Sequence, residues 1–338
     1  MNRRAPNSRL RISAVGVLLA FLCGVVSPAL AAVEDDLPPE LLPLHQAGRY
    51  QELVQALQAA LKTQPESAPL HYWLGRSYYE LRDYNRALPS LERATQLVPD
   101  RSEYFDWYGR ACGRRAQEVN PFSAFSLARR THRAFQTAVR LAPTNVQAQR
   151  DLISYLLNAP GFLGGGEQES LKQIQALSVV DAVDGWLARA EYFATREKFD
   201  EASTEYEKLL RTDVRRIGVH MEIAEYYRDR GDAVRMQAAV DAAARLGPND
   251  PRLEYYRGVA LVLAGQNRGD AEKHLRGYLQ TVPDSSQVPS HSSAHEWLGK
   301  LYEAQGQREQ AAAEYQAAVE LNRRNQDARK ALERVRRK

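Results

Sequence analysis

Tyr72-Trp-Leu-Gly-Arg-Ser-Tyr-Tyr79, followed by Tyr84, Ala87, Leu91, Ala94 and Pro99, is the stretch on which the fold turns. Ala87 lies twelve residues after Gly75, Ala94 nineteen after and Pro99 twenty-four after. Far down the chain, Gly299-Lys-Leu-Tyr302 has Ala311 and Ala318 at the same offsets of twelve and nineteen. Between them the frame recurs at Ala190/Phe193/Ala202 and at Ala224/Tyr227/Met236/Ala243/Pro248. It recurs again, after one inserted residue, at Gly258/Leu261/Ala271/Pro283. On the N-terminal side Leu41, Leu44, Gly48, Leu53, Ala60 and Pro65 extend it. Self-similarity at a period of about 34 residues marks a chain built by stacking one supersecondary unit.

The unit reads as two helices and a turn. A small residue in the first helix lets the second approach closely, and a large one three places on, such as Tyr78 or Tyr227, fills the groove beside it. Ala87, Ala202, Ala271 and Ala311 sit where the two helices cross. Gly48, Gly231, Gly265 and Gly306 fall at the inter-helix turn, where a positive φ costs glycine little. Pro65, Pro99, Pro143, Pro248 and Pro283 end the second helices.

This pattern resembles the tetratricopeptide repeat over roughly residues 35–325. The resemblance implies an all-α fold, a right-handed α-solenoid of about seven to eight helix pairs. It also implies that the first helix of each pair lines the concave face. Gln326–Lys338 is expected to add a basic capping helix with Ala328, Ala331, Leu332 and Val335 on one face. Two units depart from the frame. After Trp107-Tyr-Gly109 the small residue of the second helix is delayed by ten positions, to Thr131. Two elongated, projecting helices are expected there, at about 101–119 and 122–141, separated at Asn120-Pro121. The next unit replaces its tight turn with Asn158-Ala-Pro-Gly-Phe-Leu-Gly-Gly-Gly166, a longer loop of the kind found in a group of exported bacterial tetratricopeptide proteins.

The N-terminus has a different character. Arg3, Arg4, Arg9 and Arg11 precede an apolar run from Ile12 to Val26, and small residues stand at Ala29 and Ala31. The run is short for a membrane-spanning helix, and the layout is that of a secretory signal. Residues 1–31 are therefore expected to be removed, leaving a solenoid over 32–325 and the capping helix over 326–338; an uncleaved anchor is the alternative. Leu22 before Cys23 argues against lipidation, and Ala5-Pro6-Asn7 after Arg3-Arg4 against twin-arginine export. Export would place the chain in the periplasm or outside the cell. It would also remove four of the 46 basic residues and none of the 42 acidic ones, so the mature chain is formally neutral. Neutrality argues against a general nucleic-acid-binding role. With only two cysteines in the sequence, a disulfide framework is excluded, and Cys112 reads as core packing.

No catalytic motif is visible, and no cofactor is implied. The glycines between Gly161 and Gly166 lack the preceding strand and following Lys-Ser/Thr of a phosphate loop. His291 and His295 have the i, i+4 spacing of a metal pair but no third ligand, and read as solvated residues at a helix start. The informative residues lie on the expected concave face: Tyr72, Arg76 and Tyr79, then Arg110 and Arg114, then Arg150, Ser154 and Asn158. Glu191, Glu225 and Asp229 follow in later repeats. Arginine suits carboxylate recognition and tyrosine gives rigid contact area, unless these charges simply pair with neighbouring helices. The expected function is a non-enzymatic scaffold binding a protein or peptide, acidic in character, in that groove. A ligand-binding accessory of a small-molecule transport system is the alternative, and an apolar pocket among the elongated helices would favour it. The cationic C-terminal helix, from Arg323 to Lys338, is a further candidate for an anionic partner or membrane surface.

Overall fold

The computed structural model describes residues 36–285 and 288–337; the expected signal at 1–31 lies outside the described residues. Among these, the regular structure is helical, with seventeen α-helices and no strand. Sixteen of them form eight antiparallel pairs. The first four pairs are α1 (Leu42–Gln46) with α2 (Tyr50–Thr63), α3 (Ala68–Glu80) with α4 (Tyr84–Leu97), α5 (Ser102–Ala116) with α6 (Pro121–Leu141), and α7 (Val146–Asn158) with α8 (Glu167–Val180). The second four are α9 (Ala182–Thr195) with α10 (Phe199–Arg211), α11 (Ile217–Asp229) with α12 (Ala233–Leu246), α13 (Arg252–Ala264) with α14 (Arg268–Thr281), and α15 (His291–Ala304) with α16 (Arg308–Leu321). A last helix, α17 (Gln326–Arg337), buries Ala328, Ala331, Leu332 and Val335 against the eighth pair, as a cap should.

The helix crossings follow from the small residues. A methyl group on Gly75 would come within 2.5 Å of Leu91, and one on Gly299 within 2.5 Å of Tyr315, partners sixteen residues on in both pairs. In the seventh pair Gly258 meets Leu275 seventeen residues on, which is the one inserted residue. In the third pair Gly109 meets Phe135 twenty-six residues on, which is the ten-residue delay. The insertion is not shared between two long helices as expected. α5 has an ordinary 15 residues and α6 takes the extra length, with 21. The asymmetry comes from Asn120, whose side chain accepts from Ser123 N, and from Pro121 at the first helical position. Together they fix the start of α6 while the chain turns at 117–120.

Gly231 and Gly306, with φ of 69° and 74°, hold the residue before the cap of a second helix. Arg82 and Glu197 occupy the same place in the second and fifth pairs, both with φ of 58°, a conformation that disfavours a side chain. The Gly-rich loop is an inter-helix turn, with a short 3-10 turn at Gly161–Leu163.

From α3 to α9 and from α11 to α15 consecutive first helices pack on one another and so face the axis of the superhelix. The coil is tight enough to touch itself. Gly48 lies against Pro283, Arg82 reaches Asp284 at 3.4 Å and the Ser285 carbonyl at 3.3 Å, and Arg324 donates to the Gln117 carbonyl. The turns of the first three pairs are thus held against the loops that follow α14 and α16.

Candidate functional site: the inner face

The inner face begins with an aromatic block. Tyr72 stacks on Tyr104 with centroids 4.6 Å apart. The Arg76 guanidinium lies between the indoles of Trp73 and Trp107, 4.4 and 4.3 Å from their centroids, and donates to the Tyr72 hydroxyl at 3.3 Å. Its Nε and Nη2 have no hydrogen-bond partner among the described residues, so the two ring faces answer much of its charge. Tyr79 meets Trp107 edge-on, and its hydroxyl accepts from Arg114 Nε at 3.4 Å. Tyr72, Arg76 and Tyr79 come together as their spacing suggests, but they are 1%, 3% and 3% exposed. At this end the inner face is packed rather than open. His45 sits on Trp73, and burial, aided by the Arg76 charge, pushes its imidazole down to about 4.

Beyond the block runs a ladder of ion pairs. Arg110 binds Asp106 on its own helix at 3.0 Å and Asp151 on α7 at 2.6 Å. Arg150 on α7 binds Asp184 on α9 at 3.2 Å and Glu222 on α11 at 2.6 Å. Arg216, which precedes α11, returns to Asp184 at 2.6 Å and Asp181 at 3.2 Å. Each arginine therefore ties one first helix to the next. Asp151, Asp184 and Glu222 are the members that sequence reasoning missed; Asp106 was legible as an i, i+4 partner of Arg110. Asn158 caps its own helix by donating to the Ser154 carbonyl at 2.8 Å.

Burial leaves some of these carboxyls reluctant to ionise. Burial raises Glu191 from 4.5 to about 7; Arg150 opposes the rise and Glu222 adds to it. Asp106 and Glu225 are raised by burial as well. Glu225 accepts from the Tyr256 hydroxyl at 2.6 Å, whereas Asp229, the last residue of α11, is 51% exposed beside Arg228. The inner face thus runs from aromatic and cationic to increasingly acidic.

The remaining candidates resolve simply. The His291 and His295 rings are half-buried rather than solvated. His291 Nε2 lies 2.7 Å from the Val282 carbonyl, and His295 Nδ1 lies 2.6 Å from Glu314. No group of three metal-ligating side chains occurs among the described residues. Cys112 is fully buried, and burial pushes its thiol up to about 12.

Such a superhelix of helix-turn-helix repeats defines an α-solenoid, whose working surface is its curved face. Family models of the tetratricopeptide repeat match residues 44–107 and 292–325, so the chain carries tetratricopeptide repeats. No curated protein matches the sequence. Among solved structures, the human IFIT1 dimer with m7Gppp-AAAA is similar at 16% identity and a TM-score of 0.55, covering 88% of this chain and 72% of that one. The APC/C hetero-tetramer Cut9-Hcn1 is similar at 14% identity and a TM-score of 0.50, covering 84% of this chain and 52% of that one. A tetratricopeptide repeat protein from Parabacteroides merdae is similar at 12% identity and a TM-score of 0.46, covering 90% of this chain and 99% of that one. At these identities the likeness concerns the fold alone.

Proposed function

We propose that the chain is a non-enzymatic interaction scaffold, exported to the cell envelope, that holds an extended segment of a partner protein along its inner face. The ladder of arginines carries this reading. Arg110 is fixed by carboxylates from α5 and α7, and Arg150 by carboxylates from α9 and α11. Donors fixed in this way lose little further entropy on binding. Arg114 and Asn158 stand beside them, part-buried, where a peptide carbonyl or carboxylate would meet them. Tyr72, Arg76 and Tyr79 act as the wall that ends the groove.

The similar IFIT1 structure holds m7Gppp-AAAA, but the inner face here favours a protein. Asp106, Asp151, Asp184, Glu191, Glu222 and Glu225 line it among the arginines, and a phosphate chain would meet them at every repeat. The cavity beside α6 has a volume of about 240 Å³ and is lined by Phe125, Ser126, Arg129, Arg130 and Arg133. It is too cationic and too small to recommend a small-molecule carrier.

Photo-crosslinkers placed at Asn158 and Asp229, and at Val234 on the outer surface, test the reading. Partner adducts should concentrate at the inner positions and fall with Arg114→Ala. Adducts only at Val234 would refute the groove. Intact mass of the exported chain, starting near Ala32, tests the export reading separately.

A further inference from the structure

The free end of α6 carries a surface that the groove does not use. Phe122 and Phe125 lie there, and the turn after α7 brings Phe162 beside them, its ring stacked on Phe125 with centroids 6.2 Å apart. The three are 90%, 43% and 76% exposed. Two turns of adjacent pairs thus present one cluster of aromatic rings to water, where a soluble chain gains nothing from it.

Helical periodicity places Phe122, Phe125, Arg129 and Arg133 on one stripe, opposite the buried Leu127, Thr131, Ala134, Phe135 and Ala138. Arg129 lies over Phe125, 5.9 Å from its centroid. Arg130 is held by Glu92 at 2.5 Å and by Tyr108 at 2.6 Å. Arg129 and Arg133 are exposed and have no carboxylate within ion-pair distance among the described residues, and α6 contains no acid at all.

We infer that this tip docks the protein on an anionic lipid bilayer, with the phenylalanines inserted and Arg129 and Arg133 among the headgroup phosphates. The order of the side chains favours a membrane over a partner protein. At 1.5 Å of rise per residue, Arg129 stands about 10 Å and Arg133 about 16 Å behind Phe122. Interfacial apolar groups sink about 5–10 Å, which leaves both cations at headgroup level. A bilayer requires only apolar rings and cations in this sequence, whereas a partner protein would need a pocket matched to Phe122 and Phe162, which stand 90% and 76% exposed. The C-terminal helix, the other cationic candidate, buries its apolar stripe and spends Arg334 on Glu303 and Arg337 on Glu333. The inference does not depend on what occupies the groove.

Vesicle flotation of the full chain tests it, with phosphatidylcholine alone and with added phosphatidylglycerol. Binding should require phosphatidylglycerol and weaken with salt. Phe122→Ser with Phe162→Ser should lower the partition coefficient by roughly tenfold or more. Arg129→Gln with Arg133→Gln should lower it by roughly tenfold at low salt. All four side chains are exposed, so thermal unfolding should be unchanged. Vesicles should protect amides near 120–130 and 160–165 from hydrogen exchange, a readout that binding through the N-terminal apolar run would not produce. Equal partition of wild type and both variants, or protection elsewhere only, would overturn the inference. So would full protection of the tip by glycerol phosphate without vesicles, because the bilayer would then be unnecessary.

Discussion

Glu191→Gln offers the sharpest test of the inner-face electrostatics. Folding raises this carboxyl from 4.5 to about 7, chiefly by burial. A carboxyl that holds its proton more tightly when folded costs stability once it must ionise. The cost is absent below the unfolded value, grows between 4.5 and about 7, and is constant above. At ~1.4 kcal/mol per pKa unit the ceiling is about 3.5 kcal/mol, and water at the partly open inner face reduces it to about 1–2 kcal/mol. Glutamine has nearly the same shape and removes the charge. It leaves Arg150 with Asp184 and Glu222, so no buried cation is orphaned. The variant should therefore be more stable than wild type at pH 8 by about 1–2 kcal/mol and equal to it near pH 4.5. Repeat arrays need not unfold all-or-none, so the local readout is hydrogen exchange of α9 amides, with the urea midpoint beside it. The same shift at both pH values, or a loss at pH 8, would refute the reasoning.

Further outcomes follow from the packing. Ala87→Leu and Ala311→Leu should each destabilise by about 1–3 kcal/mol in denaturant unfolding, because both residues are fully buried at a helix crossing. Glu197→Gly should stabilise by about 0.5–1 kcal/mol, since φ of 58° strains a side chain and this one makes no ion pair among the described residues; a loss in melting temperature would contradict the turn geometry. Arg110→Ala should cost about 3–5 kcal/mol in urea unfolding, because Asp106 and Asp151 would be left buried without their shared cation.

The repeat frame was legible because steric fit at each crossing is local: a glycine or alanine must face a large side chain a fixed distance along the chain. Even the ten-residue delay after Gly109 was readable, and it reappears as the contact between Gly109 and Phe135. Its division between helices was less so, because the position of the Asn120 cap, not the count of residues, decides where α6 begins. The turn positions at Arg82 and Glu197 escaped because neither residue advertises a positive φ. The arginines were readable as inner-face residues, but not their partners. Arg110 and Asp151 are 41 residues apart, and Arg150 and Glu222 are 72 apart. Which carboxylate meets which arginine depends on the rotation between consecutive pairs, and a period does not fix that angle.

That rotation also explains why the two ends of the coil meet. Arg82 and Asp284 are 202 residues apart, yet they touch because the pairs between them complete a superhelical turn. Each ladder arginine spans neighbouring first helices and resists a change in the angle between them. The contacts at Arg82 and Arg324 then hold the ends of that turn together. A solenoid is ordinarily soft because each repeat touches only its neighbours. Here the ladder ties first helices together and the closing contacts join distant repeats, an arrangement that favours one curvature of the inner face. A partner segment would then meet a fixed spacing of arginines rather than a surface that must first be ordered, and affinity would depend on register along the face more than on contact area.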